Sequence, residues 1–184
     1  MKEHTRYMLL AILVISFAKG QDNSQLPAKK QLTTSDFKGV PDESVDYLAN
    51  TNPVVSLTLY GATNCPVDGK IKLKADTKIS LGDKTWMKIS KIKKQDLLNA
   101  LLSHEQGHYD LAEVFSIDLK RTLSAICFDK KRYNIEVDSV YKSMFARYDS
   151  LQRRYDTETG YMRNHEMQLK WKQRIAAMLK KIQE

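Results

Sequence analysis

The 184-residue chain carries 30 Lys and Arg against 22 Asp and Glu, a formal charge of +8. That length gives room for one domain with a real core. The basic excess is spread over Lys70 to Lys94 and the C-terminal third, with no aromatic interleaving. It therefore reads as a solvated face and excludes nucleic acid as an expected partner.

Residues 1–20 have the make-up of a secretory signal peptide. Lys2 and Arg6 open it, Tyr7 to Phe17 is an apolar run, and Ala18-Lys19-Gly20 offers small residues for cleavage before Gln21. The apolar run is shorter than the roughly 20 residues of a membrane span, so no stable span is expected once it is removed. An uncleaved anchor is the alternative. No cysteine follows the expected cut, so a lipidated N-terminus is not indicated. Loss of Lys2, Arg6 and Lys19 against Glu3 takes the charge from +8 to +6. The expected location is secreted or periplasmic. In that setting the two cysteines, Cys65 and Cys127, are expected to pair.

Residues 21–31 are polar and form a flexible leader. The domain, 32–184, opens with Leu32 to Gly39, and Gly39 and Pro41 mark a turn. Val54 to Tyr60 is rich in β-formers and should be a strand ended by Gly61 and Asn64-Cys65-Pro66. Ile71, Leu73 and Ala75 alternate with Lys70, Lys72 and Lys74, the period of a half-exposed strand. A third strand is expected over Thr85 to Ser90. From about Lys94 the pattern turns helical. One helix runs to about Ile126. A second carries Val137, Val140, Tyr141, Met144, Tyr148, Leu151 and Tyr155. A third places Gln168, Trp171, Ile175, Met178 and Ile182 on one side. The expected architecture is α+β: a small, mostly antiparallel sheet followed by three long helices, zincin-like.

Ser103-His104-Glu105-Gln106-Gly107-His108 lies in the first of these helices. Imidazoles four residues apart share one helical face and can reach one metal ion, and a glutamate beside the first is the usual general base. Leu97, Leu101, Ala112, Phe115 and Leu119 recur with the two histidines at spacings of three and four. The histidines thus fall within the buried stripe. Buried imidazoles need a metal or hydrogen-bond partners, because an unsatisfied buried polar group costs about 1–3 kcal/mol. A pair of core histidines bonded to neighbours is the competing reading; the bracketed glutamate favours zinc. Glu105 is then the catalytic base, with His104 and His108 as ligands. Gly107 costs about 1 kcal/mol against alanine inside a helix, so close packing is expected there.

A hydrolytic zinc takes three protein ligands and leaves one position open. The extended metzincin spacing would need glycine at Leu111 and histidine at Val114, which excludes that class. Glu113 points about 140° away from His108, and Asp110 faces further off, suited to orienting a neighbour. The third ligand must come from a later element.

The chain resembles a bacterial family of predicted secreted zinc-dependent proteases built around a His-Glu-x-Gly-His helix. The matching residues are Ser35-Asp36-Phe37-Lys38-Gly39, Trp86, His104 to Asp110, Ala112-Glu113, Tyr155-Asp156-Thr157-Glu158-Thr159, Asn164, Gln168 and Trp171. The resemblance implies a peptide or protein substrate. Similar sequences supply a third histidine in a Thr-x-His-Gly step, where this chain reads Thr159-Gly160-Tyr161-Met162. Tyr161 is the expected third ligand, with Glu158 and His165 as alternatives. A non-catalytic descendant of the fold, or an exported interaction module with structural histidines, are the rival readings. Oligomeric state is not legible.

Overall fold

The computed structural model describes residues 13–14 and 30–183. The segment 1–20 expected to be a signal peptide, apart from Leu13 and Val14, and positions 21–29 of the expected leader lie outside the described residues.

A long antiparallel hairpin forms one face of the domain. Its strands are β3 (Pro53–Asn64) and β4 (Lys70–Leu81), after the two-residue strands β1 (Leu13–Val14) and β2 (Ala49–Asn50). β1 lies parallel to β3 at Leu57 and Thr58. The alternation read from the sequence is real: Val55, Leu57 and Leu59 of β3 and Ile71, Leu73 and Ala75 of β4 point inward, while Lys70, Lys72 and Lys74 face solvent.

Two boundaries differ from expectation. β3 does not stop at Gly61 but continues to Asn64 through a register shift between Leu59 and Ala62. Gly61 takes φ +67°, a backbone open to glycine, and the bulge lets pairing resume beyond it. The expected strand over Thr85 to Ser90 shrinks to β5 (Trp86–Met87), followed by a 3-10 turn at Ile89–Lys91. β5 pairs with β2, apart from the main sheet. Its alternation misled because Thr85, Trp86, Met87 and Lys88 are all buried, so neither face is the wet one.

Three helices follow: α1 (Gln95–Ala125), α2 (Tyr133–Thr159) and α3 (His165–Gln183). A short strand between the first two, β6 (Cys127–Asp129), was not legible in the sequence. It adds to the edge of β4 opposite β3. Leu111, Ala112, Phe115, Leu119 and Leu123 of α1 form the centre of the core. They pack between the inward face of the hairpin and Val137, Tyr148, Tyr155, Trp171 and Ile175 of α2 and α3. The α+β arrangement of strands before three long helices is as expected. Among the described residues no helix is long and apolar enough to cross a membrane.

Cys65 and Cys127 form a disulfide across a sequence separation of 62 residues, with Cα atoms 6.1 Å apart. It ties the end of β3 to the start of β6. Closing a loop of that length is worth about 4 kcal/mol in the chain-entropy model, an upper figure. The double variant Cys65→Ser/Cys127→Ser should therefore lose about 2–4 kcal/mol of unfolding free energy, measured by denaturant titration. An unchanged denaturation midpoint would show that the crosslink contributes nothing to stability.

Candidate metal centre

α1 carries His104 and His108 one turn apart, and both rings are buried, at 1 % and 2 % exposure. The reason is geometric. α1 is enclosed by the sheet on one side and by α2 and α3 on the other, so its whole middle, His104 to Ala112, is buried. The rings lie edge to face with centroids 4.9 Å apart. They are not turned away from each other. His104 Nε2 is 3.1 Å and His108 Nε2 3.0 Å from the same oxygen, Oδ1 of Asp156. Asp156 sits in the last turns of α2 and is itself buried.

The other ring nitrogens decide what this cluster is. His104 Nδ1 lies 3.2 Å from Gln168 Oε1, on α3, and His108 Nδ1 lies 2.6 Å from Gln152 Oε1, on α2. Each glutamine is held with its oxygen toward the ring. Gln152 Nε2 donates to the His108 carbonyl at 3.1 Å. Gln168 Nε2 donates to the Tyr155 hydroxyl and, at 3.4 Å, to the Ser103 carbonyl. An amide oxygen only accepts, so the bonding network assigns the proton of each neutral imidazole to Nδ1. Each Nε2 then presents a lone pair toward a carboxylate oxygen that is also an acceptor. Three acceptors converging in a buried space repel unless a cation or extra protons lie between them. Protonating both rings would set two like-charged imidazolium groups side by side in a buried space, with centroids 4.9 Å apart, which is costly. A divalent cation satisfies all three at once.

The three ligand atoms lie within 4.8 Å of one another, and the His104, His108 and Asp156 group can hold a metal ion. Two imidazoles and one carboxylate are a donor set that suits zinc and leaves a position for water. The glutamines do the work of outer partners that orient ligating rings.

Tyr155 sets the spacing of the whole arrangement. Its ring stacks on His104 at 4.9 Å and meets His108 edge-on. Its hydroxyl donates to the His104 carbonyl at 3.0 Å. Burial pushes its pKa well above the ordinary tyrosine value, so it stays a neutral donor. The ring lies directly over Gly107, where an added Cβ would sit 2.2 Å from the hydroxyl oxygen. The close packing expected at Gly107 is therefore specific: glycine makes room for Tyr155.

Glu105, 1 % exposed, lies beside His104. Its Oε2 accepts the backbone N–H of Thr51, just past β2, at 2.9 Å. Gln106, the variable position of the motif, fastens the start of the domain. It accepts from Leu32 N–H at 2.7 Å and donates to the Lys30 carbonyl and to Asp110. Lys30 and Gln31, read from sequence as the end of a loose leader, are thus held against α1. Asp110 orients Gln106, in keeping with its expected supporting part.

The structure does not bring Tyr161 to the histidines. It is 52 % exposed, in the turn beyond α2, with φ +53°. Gly160 ends α2 in the left-handed conformation, and the Tyr161 N–H caps the Asp156 carbonyl at 2.9 Å. The chain thus leaves the helix one residue before Tyr161, which cannot share the inner face. Glu158 turns to α3 instead, accepting from Trp171 Nε1 and pairing with Arg154 and Arg174. The Arg154 bond holds its carboxyl below the usual range. His165 starts α3 on an exposed position.

Sequence reasoning passed over Asp156, although it lies in a stretch singled out there. The signal was the one that marked the histidines. Gln152 and Asp156 are polar residues four apart within the buried stripe of Tyr148, Tyr155 and Thr159.

The chain is an α+β domain in which a His-Glu-x-Gly-His helix and Asp156 form a group that could hold a metal ion. Residues 70–166 match a family described as bacterial proteins of unknown function (DUF922), and the chain belongs to that family. No match was found among curated proteins or among solved structures.

Two substitutions probe this geometry. Gly107→Ala should destabilise the fold by more than about 2 kcal/mol, seen as a lower Tm in calorimetry, because a rigid buried ring has nowhere to go. Gln152→Leu removes the acceptor for His108 Nδ1 and should weaken zinc binding by about 10- to 100-fold in a chelator competition.

Proposed function

We propose that this protein is an exported zinc-dependent metallopeptidase in which His104, His108 and Asp156 hold the ion and Glu105 is the general base. The observation that carries the reading is the fixing of both Nδ1 atoms by glutamine oxygens, which turns both Nε2 lone pairs onto one carboxylate. Asp156 takes the third position that the sequence left open between Tyr161, Glu158 and His165.

Zinc would supply Lewis acidity and bring the pKa of a water molecule on it to about 7. Glu105 is placed for the proton transfer. Its Oε2 is fixed by Thr51 N–H, while Oε1 makes no hydrogen bond among the described residues. A carboxylate so held can take a proton on the second oxygen and pass it to a leaving amine without reorienting. Tyr155, by fixing the His104 carbonyl, keeps the helix turn between the base and the two ligands rigid. The composition of residues 1–20 and the disulfide support export. A peptide bond is the substrate that the His-Glu-x-Gly-His helix most often serves.

One observation favours a second reading. All four residues of the centre are at most 3 % exposed, which suits an ion held for stability or binding without turnover. The two readings part on Glu105. Wild type purified without chelator should carry about one zinc, and His108→Ala and Asp156→Ala should carry almost none. Glu105→Gln should keep its zinc and lose hydrolysis of a peptide library by at least about a hundredfold. Absence of zinc from wild type would sink both readings. Zinc retained with no hydrolysis even in wild type would leave the second.

A further inference from the structure

The segment that grips Glu105 has a feature that Glu105 does not explain. Thr51 is 2 % exposed, and its hydroxyl Oγ1 is buried with no hydrogen-bond partner among the described residues. Looseness is not the reason. On one side Asn50 pairs with Trp86 in the β2–β5 ladder. On the other, Asn52 N–H donates to Thr85 Oγ1 at 3.1 Å, and the Asn52 carbonyl accepts from Gly82 N–H at 2.8 Å. Gly82 also lies close against this segment: a Cβ there would meet the Asn52 side-chain amide at 2.6 Å and the Asn52 carbonyl at 3.4 Å. The backbone around Thr51 is therefore pinned. A threonine held in this way keeps its hydroxyl in the same small volume as its own amide nitrogen, which is 2.9 Å from Glu105 Oε2.

Leaving a buried hydroxyl unpaired costs about 1–3 kcal/mol, and valine would fill the same space without that cost. A polar group at such a position is explained if a ligand completes it. Serving Glu105 requires only the Thr51 backbone N–H, which any residue but proline supplies. The side chain is free for a second task beside the base.

We propose that Thr51 Oγ1 is a contact for the oxygen atom on which Glu105 acts: a water molecule in the resting protein and an oxygen of the substrate or inhibitor in the complex. A hydroxyl suits both states, since it donates to an oxyanion and accepts from a water or an amide. The base and the hydroxyl would then approach the ligand from one rigid unit, the middle of α1 bonded to the residue that follows β2. This inference rests on the metal centre proposed above.

The test uses acetohydroxamate, a small zinc-directed oxygen ligand, with the zinc-loaded full-length mature protein. Binding is measured by calorimetry for wild type, Thr51→Val and Thr51→Ser. Zinc affinity should be the same in all three by chelator competition, since Thr51 is not among the ligands. Thr51→Val should bind acetohydroxamate about tenfold more weakly than wild type, and Thr51→Ser within about twofold of it. The metal-free Thr51→Val protein should melt no lower than metal-free wild type, because the change removes an unpaired group. Equal acetohydroxamate affinity in Thr51→Val and wild type would overturn the proposal. A lower melting temperature for metal-free Thr51→Val would do the same, by showing that the hydroxyl is already bonded within the fold. Failure of wild type to take up zinc is a separate result: it removes the metal centre itself, and this contact with it.

Discussion

Two amide oxygens govern this molecule. Gln152 and Gln168 each accept a hydrogen bond from one imidazole, and in doing so decide which nitrogen of each ring carries its lone pair inward. Rotate either amide and its histidine would present a donor to Asp156, giving an ordinary buried hydrogen bond with no use for a cation. The amides cannot rotate at low cost, because their nitrogens are committed to the His108 and Ser103 carbonyls and the Tyr155 hydroxyl. The helices are thus joined at the centre by a relay of polar groups in which each donor meets an acceptor. In a low-dielectric interior such a network is rigid when complete and costly when interrupted.

The rest of the fold serves that alignment. α1 supplies the rings, α2 the carboxylate and one amide, and α3 the other amide, so all three helices must be seated before the centre exists. The hairpin backs α1 with an apolar face and holds it from the other side. Gly107 and Tyr155 set how near α2 can come to α1. A methyl group at position 107 would push the two helices apart and carry Asp156 away from the rings. Neutral partners on both histidines also leave the Asp156 carboxylate as the acidic group set against both rings, an arrangement that would suit a cation.

The sequence revealed what depends on local repetition. The alternation in Lys70 to Ala75, the stripe through Leu101, Phe115 and Leu119 and the spacing of the histidine pair each record one element and its buried side. These were legible because a strand or helix imposes its period on whatever residues it carries. Elements whose burial is set by distant neighbours were not. β5 is covered on both faces, β3 passes Gly61 by a bulge, and β6 is too short to show a period. Within the centre, His104, Glu105 and His108 could be read because they share one helix. The position of Asp156 depends on how α2 crosses α1. Tyr161 is expected because it stands where similar sequences carry a histidine, but Gly160 ends α2 and turns the chain before Tyr161 can face the rings.

The distance along the chain between the donors has a physiological consequence. His104 and Asp156 are 52 residues apart, and the amide that aligns His104 is 64 away. An unfolded polypeptide offers an ion only the two imidazoles of one short stretch, a weak and unselective chelate. Tight capture would belong to the finished tertiary structure, so an ion bound there would be drawn from whatever pool surrounds the chain when α2 and α3 close. Which compartment hosts that closure, and which divalent cations are plentiful there, would settle the cargo of this centre as firmly as the donors do.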